Sequence, residues 1–178
     1  MKKQIIFGAA VLALIISFIV DKIILMPVYI IRFNILTAVM KIITNFWFII
    51  AFIAVTSVIL YKKRRFILLW LACLSSLVLT LIIKLIIPRT RPSIAPLITL
   101  ADASFPSTHT GVLFVVLPII CRHKPKLKYT WIIIILLIAF SRLYLGVHYL
   151  SDILAGALIG YIIGMVIIWL NKKYKFLK

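Results

Sequence analysis

Long apolar runs separated by short polar breaks organise this chain, and they are too continuous to be the half-buried helices of a water-soluble protein. A run of about 20 apolar residues matches the hydrocarbon thickness of a bilayer. On that measure the chain is an all-α polytopic membrane protein whose six transmembrane helices form one bundle. The expected spans cover roughly residues 5–25, 47–61, 66–87, 109–121, 129–146 and 152–170. The fourth is short, and Pro118 should kink it. Residues 26–45 carry Pro27, Arg32, Asn34 and Lys41 among apolar neighbours. That mixture predicts a short amphipathic helix in the membrane interface, acting as a headgroup lid or a plain connector. The opening Met-Lys-Lys-Gln and the run Ile5 to Val20 resemble a signal peptide. With no small-residue cleavage site before Asp21, the segment reads as an uncleaved first span. One domain over residues 1–178 follows, with a motif-bearing core at about 66–171.

Composition supports the membrane reading and changes what the charge means. Hydrophobic residues make up 65% of the 178, and mean hydropathy is +1.25. A formal net charge of +18 would point to nucleic acid in a soluble chain. Here the basic residues sit in short clusters between spans, as the positive-inside rule requires, so no nucleic-acid partner is expected. With both termini in the cytoplasm, 14 of the 21 Lys and Arg lie inside, and Asp21, Asp102 and Asp152 all lie outside. Trp70, Tyr129, Trp131 and Trp169 then fall near the inner ends, where an aromatic belt would sit. Cys73 and Cys121 have neither disulfide nor metal-ligand spacing.

The polar residues inside apolar sequence carry the chemistry. Arg142, His148 and Asp152 interrupt a greasy run, and ionisable groups at membrane depth mark a functional site by default. The competing explanation is a buried ion pair that fixes helix packing. Lys84 and Arg91 stand two helical turns apart at the outer end of the third span, and snorkelling cations would look the same. Arg89 beside them reads as such a cation, and His123 as an interfacial histidine. Ser107 is suited to cap a helix, leaving the amides of Thr108, His109 and Thr110 free to face an anion. His148 falls in the reversal near Gly146 to Ser151, and Asp152 in the next first turn, where a carboxylate can orient an imidazole. The topology brings Lys84, Arg91, His109, Arg142, His148 and Asp152 to one outer patch, which favours a site over scattered ion pairs. Spacing alone does not divide attack and proton donation between His148 and His109.

Three motifs can now be read together: Lys84-x6-Arg91-Pro92, Pro106-Ser107-Thr108-His109 and Ser141-Arg142-x5-His148-x3-Asp152. They resemble the signature motifs of the type 2 phosphatidic acid phosphatase (PAP2) family, and the match extends through Leu154-Ala155-Gly156. Thr108 departs from the pattern, since the family usually has glycine there. The resemblance implies a metal-independent, cofactor-free lipid phosphatase with a six-helix core. It implies that His148 attacks phosphorus to form a phosphohistidine, that Asp152 assists, and that His109 is the general acid. Lys84, Arg91, Ser107 and Arg142 would hold the phosphate oxygens, with the backbone at Thr108 donating as well. Soluble vanadium haloperoxidases share this site, but the hydrophobic content argues against that branch. The short chain without an added domain favours a polyprenyl (undecaprenyl) diphosphate substrate at the outer face of the plasma membrane. Phosphatidylglycerophosphate, phosphatidic acid and a lipid phosphotransferase reaction are the enzyme alternatives. An anionic-lipid transporter or scaffold is the non-enzyme one. Gly156, Gly160 and Gly164 form a stripe that favours helix packing within the bundle over dimerisation, with the oligomeric state left open.

Overall fold

The computed structural model describes residues 2–93 and 96–175, with side chains throughout except at 2–7 and 63; Lys178 of the basic tail lies outside this range. All regular structure among the described residues is helical. The eight α-helices are α1 (Lys2–Ile30), α2 (Asn34–Ile43), α3 (Phe46–Ile59), α4 (Phe66–Ile86), α5 (Thr108–Phe114), α6 (Val116–His123), α7 (Lys128–Tyr144) and α8 (Leu150–Tyr174). Four of them, α1, α4, α7 and α8, are long and apolar enough to cross a membrane. The α2–α3 pair, bent by 54°, makes a fifth if it is one span. The fourth expected span, Thr108–His123, is apolar but shorter than these. Its sixteen residues give about 24 Å of helix. Outward faces carry residues such as Ile19, 77% exposed, and Leu85, 84% exposed, which a lipid solvent leaves unpenalised.

Local sequence explains the breaks. Proline at 118 clashes with the carbonyl four residues back, and the helix is interrupted there, between Phe114 and Val116, one turn before the proline itself. Pro27 does not end α1; it lies inside the helix, which continues to Ile30. The amphipathic element expected over 26–45 is therefore the ten-residue α2. Arg32, between α1 and α2, donates from Nε and one terminal nitrogen to the Tyr144 carbonyl at 2.9 and 2.6 Å, satisfying a C-terminal acceptor of α7. Trp131 is no belt residue. It is 7% exposed, lies against Phe52 and donates to Thr56 Oγ1 at 3.0 Å, whereas Trp70, Tyr129 and Trp169 are exposed.

Helix α8 is the axis of the bundle, packed by α1, α4, α5 and α6. Its glycines allow the closest approach. A Cβ on Gly156 would lie 2.4 Å from the Ser107 carbonyl oxygen, and one on Gly160 would lie 2.1 Å from that of Gly111. On Gly164 it would meet Pro118 at 2.5 Å. The stripe thus seats α5 and α6 directly on α8.

Candidate active site

The C-terminal ends of α4 and α7 and the N-terminal ends of α5 and α8 meet at one end of the bundle. Lys84 stands in the last turn of α4, which Pro88 does not allow to continue. Gly146 has φ 72°, a left-handed conformation that glycine adopts without strain, and it turns the chain between α7 and α8. His148 lies in that turn and Asp152 in the first turn of α8. The Ser107 amide donates to the Asp152 carbonyl at 3.0 Å, so the starts of α5 and α8 are tied by backbone.

His148 is 2% exposed, and its two ring nitrogens have different neighbours. Nδ1 lies 3.4 Å from Asp152 Oδ2, and Nε2 lies 3.3 Å from a terminal nitrogen of Arg91. A guanidinium only donates, so Nε2 must offer its lone pair, and Nδ1 then carries the proton that faces the carboxylate. Burial pushes the His148 imidazole down to about 4. The Asp152 hydrogen bond opposes this shift, and the charges of Arg142 and Arg91 add to it. The ring is neutral at pH 7, and its Nε2 lone pair accepts from Arg91.

Asp152 is fully buried and heavily bonded. Its Oδ2 accepts from Ser104 Oγ at 2.5 Å and from the Tyr149 amide at 2.9 Å. Its Oδ1 accepts from Arg89 at 2.8 Å. Arg89 is thus no snorkelling cation: it grips a buried carboxylate, and Asp21 of α1 as well, at 2.8 Å. Neither role was visible in spacing, because Asp21 is 131 positions from Asp152 in sequence. The available signal was an aspartate, Asp21, standing at the end of a long apolar run.

Arg91 also donates to the Val147 carbonyl at 2.6 Å and to Asp102 Oδ1 at 2.6 Å. Lys84, 7% exposed, pairs with Asp102 Oδ2 at 3.0 Å and donates to the Ala103 carbonyl. Asp102 therefore bridges the two cations, a role the sequence did not indicate. Arg142 is 4% exposed and donates to Thr44 Oγ1 at 2.7 Å, while its Nε has no partner among the described residues. Ser107 occupies the N-cap of α5, but its hydroxyl partners Thr110 Oγ1 at 3.0 Å rather than a backbone amide. Thr108 and His109 are half-buried in the first turn, and the charges acting most on His109 are those of Arg142, His148 and Arg91. Of the residues expected from sequence, Lys84, Arg91, His148 and Asp152 form one continuous set of contacts. Ser107 joins through backbone, and Arg142 and His109 flank the set electrostatically. No group of three His, Cys, Asp or Glu suited to a metal ion occurs among the described residues.

A histidine oriented by a carboxylate and faced by basic side chains, at one end of a lipid-exposed helical bundle, defines a multi-pass membrane protein built to handle an anion. The chain belongs to the PAP2 superfamily, whose sequence profile matches residues 64–176. It is 35% identical over 105 residues to phosphatidylglycerophosphatase B of Bacillus subtilis (strain 168), covering 53% of this chain and 52% of that protein. It is 36% identical over 99 residues to undecaprenyl-diphosphatase BcrC of the same organism, covering 52% and 51%. A bacitracin transport permease protein BcrC of Bacillus licheniformis is 34% identical over 76 residues, covering 43% and 37%. The chain thus spans about half the length, or less, of these curated relatives. The crystal structure of a transmembrane PAP2-type phosphatidylglycerolphosphate phosphatase from Bacillus subtilis superposes with TM-score 0.75 at 25% identity, covering 96% of this chain and 98% of that one. That of Aquifex aeolicus LpxE gives TM-score 0.74 at 23% identity, covering 84% and 95%, and shows the shared fold.

Proposed function

We propose that this protein is a metal-independent lipid phosphatase that removes a terminal phosphate through a phosphohistidine at His148. The observation that carries this reading is the tautomer fixed by Arg91 and Asp152, which leaves Nε2 as a neutral nucleophile beside the cations that would hold a phosphoryl group. Nε2 forms a bond to phosphorus as the bond to the leaving oxygen breaks, and His109 gives that oxygen a proton. Asp152 stabilises the positive charge arising on the imidazole. Water then attacks phosphorus as the Nε2–P bond breaks, losing a proton to His109, and inorganic phosphate leaves with the neutral His148 ring restored. Lys84, Arg91, Arg142 and the amides around Ser107 and Thr108 spread the charge of the equatorial oxygens, the main requirement of phosphoryl transfer.

A lipid substrate suits the surroundings. A cavity of about 330 Å³ between α3 and α7 is lined by apolar residues, including Ile43, Phe52, Trp131 and Ile138. Ile43 adjoins Thr44, the partner of Arg142. We favour a polyprenyl diphosphate, followed by phosphatidylglycerophosphate, since relatives carry both names. Six crossings, cytoplasmic termini and a site at the outer face of the plasma membrane complete the proposal. In its support, the basic clusters 62–65 and 122–128 adjoin the bundle end opposite His148.

Purified protein assayed against a panel of lipid mono- and diphosphates tests the reading. His148→Ala and His109→Ala should each abolish phosphate release, vanadate should inhibit, and chelator should have no effect. Turnover retained by the His148 variant refutes the mechanism, and loss of activity in chelator points to a metal one.

A further inference from the structure

Behind Asp152 lies a network that the proposed chemistry does not use. Arg89 forks: one terminal nitrogen bonds Asp152 Oδ1 at 2.8 Å and Ser151 Oγ at 2.6 Å, and the other bonds Asp21 Oδ2 at 2.8 Å. Its guanidinium also lies over the ring of Tyr149, 4.2 Å from the centroid, and 5.3 Å from that of Phe18. Such cation–π contacts hold the plane of an arginine as well as its charge. Asp21 is 3% exposed and accepts from the Ser151 amide at 2.9 Å and from the Ser151 hydroxyl. Phe18 and Asp21 are one turn apart on α1, outside the residues matched by the family profile. Helix α1 therefore supplies both an aromatic wall and a carboxylate to the back of the site.

We propose that Arg89 and Asp21 are positioning residues: together they fix the Asp152 carboxylate and set how much of its charge reaches His148. This rests on the reading of His148 as the nucleophile. One guanidinium shared between two buried carboxylates leaves the triad with a net negative charge. That charge faces the imidazole, which becomes positive as Nε2 bonds to phosphorus. If Asp21 is neutralised, Arg89 is left to Asp152 alone, and the carboxylate has less charge to offer the ring. If Arg89 is removed, Asp152 Oδ1 becomes a buried acceptor without its donor, and the carboxylate is no longer held against Nδ1. In neither case are Lys84, Arg91 or Arg142 touched, so phosphate binding should survive.

The test is a split between turnover and binding in the full-length protein. Asp21→Asn and Arg89→Gln should each lower kcat by roughly 10- to 100-fold, the cost of disturbing groups one step behind a reacting centre. KM and the inhibition constant of inorganic phosphate should stay within about twofold, since uniform binding is unchanged. Arg89→Lys, which keeps the charge without the fork, should recover part of the lost kcat. Melting in detergent shows whether each variant is folded; should Arg89→Gln not fold, Asp21→Asn and Arg89→Lys give the answer. Wild-type kcat in Asp21→Asn overturns the proposal. So does a loss of phosphate affinity in step with kcat, which means general damage to the site. A wild type that releases no phosphate sinks the phosphatase reading instead, so the two failures are distinct.

Discussion

Asp102 holds the two cations that a phosphoryl group would need, so substrate must share Lys84 and Arg91 with it or displace it. Burial pushes this carboxyl up, but hydrogen bonds from Lys84 and Arg91 outweigh that and bring it from the ordinary 3.8 down to about 2. A carboxyl with a depressed folded pKa stabilises the protein above its unfolded value, and the stabilisation is lost as pH falls through the folded one. The window here runs from 3.8 to about 2. Asp102→Asn should flatten the fall of melting temperature with acid in that window. A slope unchanged from wild type would mean that the pairs with Lys84 and Arg91 do not form in solution. At this scale the sequence was legible wherever a residue stood inside a dense motif, as Arg142, His148 and Asp152 did. It was illegible for Arg89, because three basic side chains near a helix end look alike until the carboxylates they face are known. Asp21 and Asp102 were hidden for the same reason: each contributes through a partner brought to it by folding.

Between elements, the contact of α5 with α8 decides where the first-turn residues of α5 stand. Gly156→Ala would place a methyl 2.4 Å from the Ser107 carbonyl oxygen, and neither helix backbone can move aside locally. Overpacking of this kind costs typically 1–3 kcal/mol. The variant should melt lower and lose most of its turnover, since Ser107 and His109 would shift away from Asp152. Gly8→Ala is the matched control, with nothing within 4 Å of the added methyl; there the change should be neutral or slightly stabilising. If Gly156→Ala melts with Gly8→Ala, the helices are not in backbone contact. The glycine stripe was plain in the sequence, but its partner was not, because α5 carries only Gly111 where α8 carries three glycines. The break near Pro118 was foreseen from the missing amide. The continuation of α1 through Pro27 was not, since neighbouring helices can compensate a proline in ways sequence does not reveal.

For the molecule as a whole, the order of helices sends basic loops to one end and the candidate site to the other. A chain without Cys73 and Cys121 can report this with single new cysteines. Ala101→Cys should react with an impermeant maleimide from outside intact cells, and Lys126→Cys should react only after lysis. Labelling of both from the same side would break the proposed arrangement. Fold class and the existence of a bundle were readable from hydropathy, which needs only composition over a window. The count of crossings was less so, because α2, α5 and α6 are shorter than the bilayer requires and depend on neighbours for their depth.

The bare seam between α5 and α8 has a further consequence. Backbone laid against backbone at Gly111, Gly156 and Gly160 leaves no gap for a file of water between the polar end of the bundle and the basic end. Under the proposed mechanism, protons exchanged at His109 and His148 would find no water file along this seam and would have to pass through the polar end of the bundle.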